Sequence, residues 1–332
     1  MSTGSEGKKH ASVDYGTELP KQSLFRFADL HVHTTDSDGS YTVREVLQNA
    51  VKLGIGYLSF TNHNIVRPDG KECKALSREY GIELIPGCEF SAQIDLGYKK
   101  KEIHVNGFWI DPKNPKIREV LAFNRNMDRS GYIKAYLKGL AGLGIWLTDD
   151  KSRDLDLAYR QLVALHPESV HIGRQALAER MEQLGYCSRE EAFHRYLGRR
   201  QDEEKMVYIR AEDYFSYAPL EQVIQAIRSC PGAISCLNHP YYQLDADHPD
   251  QMEQIIRQFA ELGGDAMEVF YADYSRMQQI ELMRCCREYG LLPSVGSDHH
   301  NDDLPLKQGE YQVYRRLYER HQEMLAAGNQ LQ

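Results

Sequence analysis

Seven cysteines are scattered through 332 residues, and no two of them make a CxxC pair. Their odd number and low density argue against a disulfide scaffold and fit reduced thiols. No apolar run approaches the length of a bilayer span, and the first residues hold no apolar core of signal-peptide length. The expected setting is therefore the cytoplasm, with no membrane partner. Positive charge is also short: 40 Lys and Arg stand against 48 Asp and Glu, a net charge of −8. Duplex binding leans on clustered Lys and Arg, so a long nucleic acid is not the expected partner. Low-complexity sequence is confined to residues 1–23, which are polar and are expected to form a disordered tail. The rest is ordinary globular sequence, 42% hydrophobic and 27% charged, with length for one large α/β domain carrying an insertion.

The densest chemistry lies in DLHVHTTDSDG, Asp29–Gly39. Phe25–Leu30 is expected to be a short strand entering it. Residues two apart on a strand share a face, so His31 and His33 project together, as one metal ion requires of two imidazoles. Asp38 sits on a Ser37-Asp38-Gly39 turn that can fold back toward the same place.

Thr42 and Glu45 form a capping-box pattern opening a helix to about Lys52. A strand over 55–61 ends in Asn62-His63-Asn64, and a helix over 70–80 is stopped by Gly81. A strand over 82–85 leads to Pro86-Gly87-Cys88-Glu89, and another over 103–110 carries His104 near its start. This alternation predicts a parallel α/β sheet or barrel with its active site at the C-terminal strand ends. Residues 111–210 then turn helical, charged and tyrosine-rich, with helices expected over 116–140, 172–184 and 189–196. They are expected to form an inserted helical subdomain between two barrel segments, 24–110 and 211–332. After it the alternation resumes. Expected strands end at Asn238-His239-Pro240, run through Ala266–Tyr271, and end at Gly296-Ser297-Asp298-His299-His300. Expected helices cover 219–229, 249–262, 276–289 and 310–327.

A lone histidine at a strand end is more often a core or turn residue than a ligand. Here nine candidates recur at successive strand ends: His31, His33, Asp38, His63, Glu89, His104, His239, Asp298 and His300. Mixed imidazole and carboxylate ligation without cysteine suits Mn, Fe or Zn. So many ligands exceed what one ion uses, which implies two to three divalent ions. Such sites clamp an in-line displacement at phosphorus.

The motifs DLHVHTTDSDG, TNHN, PGCEFS, HVNGF, LNHPY and GSDHH, in this order, resemble the PHP phosphoesterase family from about Phe27 to His300. The resemblance implies a distorted (β/α)7 barrel with an inserted helical subdomain and a trinuclear metal site. It implies a first ion on His31, His33, Glu89 and Asp298, with Glu89 bridging to a second on His104 and His239. A third would lie on Asp38, His63 and His300. All nine positions keep ligand-type residues, which argues against a purely structural domain. It further implies attack on phosphorus by a metal-bound hydroxide, with no separate protein nucleophile.

Three departures bear on the substrate. The usual TDHD is TNHN, so Asn62 and Asn64 replace carboxylates. Asn238 stands where alanine is usual. Ile172-Gly173-Arg174-Gln175-Ala176 keeps an arginine but lacks the histidine that bisphosphate phosphatases show two residues later. Arg174, Arg129 and Gln175 are the expected substrate contacts, since a guanidinium offers a bidentate fork to phosphate. Arg125 and His171 are weaker candidates of the same kind. Asp36 and His299 are candidates for moving protons, and Glu268 for supporting a ligand. The expected substrate is a small phosphorylated metabolite. Phosphoribosyl 1,2-cyclic phosphate, hydrolysed first as diester and then as monoester to ribose 5-phosphate, ranks first. A nucleoside 3',5'-bisphosphate and a 5'-3' oligonucleotide follow.

Overall fold

A computed structural model describes residues 27–166, 172–198, 206–210, 213–242, 244, 248–301 and 305–329. The expected tail and His171 lie outside the described residues. The first half of the barrel comprises β1 (Phe27–Val32), α1 (Val43–Lys52), β2 (Ile55–Phe60), α2 (Gly70–Tyr80), β3 (Glu83–Asp95) and β4 (Lys100–Phe108). Next come α3 (Pro115–Arg125), α4 (Ser130–Gly142), α5 (Leu155–Ala164), α6 (Arg174–Gln183) and α7 (Arg189–Glu191). The short strands β5 (Leu197–Gly198) and β6 (Val207–Tyr208) pair with each other. The second half comprises α8 (Leu220–Arg228), β7 (Ile234–Leu237), α9 (Gln251–Glu261), β8 (Ala266–Tyr271), α10 (Arg276–Tyr289), β9 (Leu292–Gly296), β10 (Gly309–Glu310) and α11 (Tyr311–Asn329).

One sheet runs β10-β1-β2-β3-β4-β7-β8-β9. A bridge from Val32 to His299 brings β1 beside the end of β9, so the sheet curls into a nearly closed barrel with helices outside. The strands read as continuous apolar runs because both faces are covered: β1 is buried from Ala28 onward, and all of β7 is buried. Helix starts follow the sequence closely. Thr42 and Glu45 close a capping box on α1, and Ser275 and Gln278 close one on α10. Gly81 and Gly290 stop α2 and α10 in the left-handed region, at φ 69° and 71°, where a side chain would be strained.

Two elements differ from expectation. The strand expected over 82–85 continues to Asp95 and turns through Gly97, at φ 84°, into an antiparallel partner, β4. A four-residue loop leaves no room for a helix, so strict parallel alternation breaks there. Glu89 and His104 therefore lie within a hairpin and not at the ends of two parallel strands. The helix expected over 116–140 is two helices. Asp128 Oδ1 accepts from Ser130 N at 2.8 Å, and this local bond starts a new helix instead of continuing the old one.

The helical region has its own apolar cluster, including Ile133, Tyr136, Leu137, Leu162, Leu177 and Met181. Ile117 and Val120 of α3 belong instead to the cluster shared by β3, α8 and α9.

Candidate metal centre

His31 and His33 leave β1 on one face, as strand geometry requires, and both are fully buried. The chain then turns: Thr34 O accepts from Ser37 N and Gly39 N, each at 3.0 Å. A Cβ on Gly39 would lie 2.7 Å from the His33 carbonyl carbon, so only glycine lets the loop fold this tightly and return Asp38 to the site. Asn62 locks the same loop. Its Oδ1 accepts from Thr34 N (2.9 Å), Thr34 Oγ1 (3.1 Å) and Ser37 Oγ (2.8 Å), while its Nδ2 donates to Arg67 O (3.0 Å). The last bond needs an N–H, which explains an amide where the family pattern has a carboxylate. Asn64 behaves alike: Oδ1 accepts from Ser91 N and Asn124 Nδ2.

Three groups of side chains bring ligand atoms together: His31, His33, Glu89 and Asp298; His63, Glu89 and His104; and His33, Asp38, His63 and His300. Glu89 is fully buried and at the centre. Its Oε1 lies 3.1 Å from His104 Nδ1 and 3.3 Å from both His31 Nε2 and His239 Nε2. Its Oε2 lies 2.9 Å from His63 Nδ1 and 3.3 Å from His33 Nε2. Asp298 Oδ1 is 3.1 Å from Nε2 of both His31 and His33. All nine sequence candidates are thus brought together. The grouping differs from the expected one: His33 also faces Asp38, and His63 takes the place beside Glu89 and His104 expected of His239, which joins none of the three groups although its Nε2 is 3.3 Å from Glu89 Oε1.

This crowd is unsatisfied as protein alone. Asp38 Oδ1, His63 Nδ1 and Glu89 Oε2 are buried and make no well-aligned hydrogen bond, although the last two stand 2.9 Å apart, and His31 Nε2 is 3.2 Å from His33 Nε2. Buried lone pairs facing one another need cations between them, and nitrogen and carboxylate donors are what divalent ions take. The residues present therefore fit a metal centre.

The electrostatics agree. Burial alone would raise the Glu89 carboxyl and lower the imidazoles. Instead His104, His63 and His31 hold Glu89 well below its ordinary range. Asp298 is likewise driven down, against its burial, by His31 and His33, and Asp38 by His63 and His300. In return, and again against burial, Glu89 lifts His104 to about 10, and Asp38 lifts His300 to about 9. His31 is raised well above its usual value despite burial, chiefly by Asp298 and Glu89.

The surrounding candidates fall variously. Asp36 is 3.9 Å from Arg67 Nη1, and the His299 ring is buried against Tyr41 at 5.6 Å. Neither joins the three groups. Arg129 lies over Phe215 at 4.9 Å and donates to Tyr217 Oη at 2.9 Å, with its buried Nε unpaired. Arg174 Nη1 donates to Leu197 O at 3.1 Å, Gln175 is exposed, and Arg125 is half-buried. Asn238 donates from Nδ2 to Glu89 Oε1 at 2.8 Å, which an alanine could not. Glu102, absent from the sequence candidates, accepts from or pairs with His104 Nε2 at 3.1 Å. Its position two residues before His104 on one strand was the available signal.

A family model described as the PHP domain matches residues 29–329. A 5'-3' exoribonuclease of Haemophilus influenzae is 28% identical over 274 residues, covering 82% of this chain and 89% of that protein. A phosphoribosyl 1,2-cyclic phosphate 1,2-diphosphodiesterase of Eggerthella lenta is 24% identical, covering 82% of this chain and 93% of that protein. A solved structure from Bifidobacterium adolescentis, assigned as a metal-dependent phosphoesterase, shares the fold. Its TM-score is 0.63 at 23% identity, over 91% of this chain and 98% of that one. With the barrel, the buried histidine–carboxylate cluster and a match over nearly the whole length together, the chain belongs to the PHP domain family of metal-dependent phosphoesterases.

Proposed function

We propose that the nine side chains hold three divalent ions and that the enzyme hydrolyses the phosphodiester at the 5' end of short, single-stranded oligoribonucleotides. The observation that carries the multi-ion reading is Glu89, whose two oxygens face histidines of different groups. Bound ions would supply Lewis-acid neutralisation of phosphate charge and an activated water.

The protein's own work is positional. Glu89, Asp38 and Asp298 set how far apart the charges stand. Arg129 offers a cation that a chain of contacts links to His63. Asn124 bonds Asn64, beside His63, and accepts from Ala218 N, next to Tyr217, which holds the guanidinium. The flanking Phe215 and Tyr217 rings suit a nucleobase as well as the arginine. The similarity to an exoribonuclease supports a nucleotide end over a free sugar phosphate, and the net charge of −8 agrees with a single-stranded end over a duplex.

A second reading is phosphoribosyl 1,2-cyclic phosphate, favoured by the altered Arg174-Gln175-Ala176 segment and by the Eggerthella lenta relative. Purified protein with Mn2+ should release mononucleotides from a 5'-phosphorylated pentaribonucleotide, starting at that end. Turnover of the cyclic sugar phosphate or a nucleoside 3',5'-bisphosphate alone would overturn the first reading. No turnover of any phosphoester would overturn both.

A further inference from the structure

His31 is pinned from behind. Its Nε2 faces Glu89 and Asp298, while its Nδ1 lies 3.1 Å from Glu268 Oε1, on β8 and 237 residues away in sequence. The other oxygen, Glu268 Oε2, accepts from the backbone N–H of His239 at 2.9 Å. His239 has φ 27°, a conformation that non-glycine residues seldom hold unless something fixes it. Glu268 itself is 2% exposed. It reaches both partners because β9 gives way: a Cβ on Gly296 would stand 2.3 Å from both Glu268 Oε1 and His31 Cβ.

We infer that Glu268 is a positioning residue that fixes His31 with its proton on Nδ1, leaving Nε2 for an ion, and at the same time holds the backbone that presents His239. A neutral imidazole has one N–H, and the hydrogen bond at one nitrogen decides which nitrogen is free to ligate. Both Glu268 oxygens accept, so the clamp needs two acceptors on one side chain. A glutamine supplies one, and an aspartate falls short by a methylene. The clamp couples two ion positions: the His31 ligand and the His239 ligand are set by one carboxylate.

This inference rests on the ion-binding reading above, and the test separates the two. Zn2+ affinity of the full chain is measured by competition with a chromophoric chelator, for the wild type and for Glu268→Gln and Glu268→Asp. Glu268→Gln should weaken Zn2+ binding about 10- to 100-fold. Excess Zn2+ should restore its occupancy. In the Zn2+-loaded wild type, 15N spectra of the imidazoles should show His31 metallated at Nε2 and protonated at Nδ1. Wild-type protein that binds no Zn2+ would sink the ion-binding reading itself. Wild-type affinity in Glu268→Gln would overturn the clamp alone. If the variants fail to fold, the wild-type spectrum still decides: metallation at Nδ1 of His31 contradicts the assignment.

Discussion

Glu89 in the barrel and Arg180 in the helical region are both buried charges, 0% and 5% exposed, but their surroundings differ. Arg180 is answered by its own neighbourhood: Nε donates to Leu147 O at 3.2 Å and Nη2 to Asp149 Oδ1 at 2.5 Å. Glu89 faces five imidazoles, and its Oε2 makes no well-aligned hydrogen bond with any of them. A buried polar group whose needs are met by the chain stabilises a shape. One whose needs are not met awaits something from outside. Backbone strain is not confined to the site: His239 and Asp298 hold positive φ, at 27° and 56°, and so does Lys151 in the helical region, at 55°. Each such residue costs about 1–3 kcal/mol, which surrounding structure must offset.

The largest expected effect comes from Glu89→Gln. An amide keeps the size but not the charge that the proposed ion positions would share. Turnover should fall by at least about a hundredfold, and elemental analysis should show lost ions. Near-full activity would place the chemistry elsewhere and erase the contrast with Arg180.

Acid should act on the rim next. In the ion-free protein, the raised pKa values of His104 (about 10) and His300 (about 9) add stability that is complete below about 6.5 and is lost as pH climbs through those values. The depressed carboxylates Asp38, Glu89 and Asp298 add stability above their ordinary range, lost as pH falls through it and below. Ions must displace the imidazole protons, so affinity should weaken by about tenfold per pH unit for each proton displaced. Titration calorimetry in buffers of different ionisation enthalpy would count those protons. A pH-independent affinity between pH 6 and 8 would contradict the arrangement.

Arg129→Ala tests whether this guanidinium meets substrate. Loss of a charge-assisted hydrogen bond, about 1.5–3 kcal/mol, corresponds to roughly ten- to a hundredfold in kcat/KM. Ion content should stay as in the wild type. Unchanged kinetics on every phosphorylated substrate would reduce Arg129 to a structural cation between two rings. Arg174→Ala gives the parallel comparison, because Arg174 already spends one donor on Leu197 O.

Arg180→Ala should do the reverse of Glu89→Gln. It should lower denaturant stability by about 1–3 kcal/mol and leave bound ions untouched. Smallest of all is Lys134→Ala, which removes an exposed pair with Asp156 and should leave the melting temperature and turnover unchanged. A clear loss of activity there would mean that the helical region reports to the rim in a way its contacts do not show.

The sequence alone picked out the nine candidate ligands. Strand periodicity put His31 and His33 on one face, glycine and aspartate marked the turn at Asp38, and the remaining ligands lay in short polar motifs closing apolar runs. Capping residues and terminal glycines likewise marked α1, α2 and α10, because those signals act within a few residues of where they stand. Tertiary structure decided what depends on distance in sequence. The β3–β4 hairpin is itself local, but its place in the barrel follows from the long-range pairing of β4 with β7. That Asn238 touches Glu89, 149 residues away, and that Glu268 holds both His31 and the His239 backbone follow from how β7, β8 and β9 curl back to β1. Local chemistry is written in neighbouring residues, but which buried acceptor meets which donor is settled only when the barrel closes.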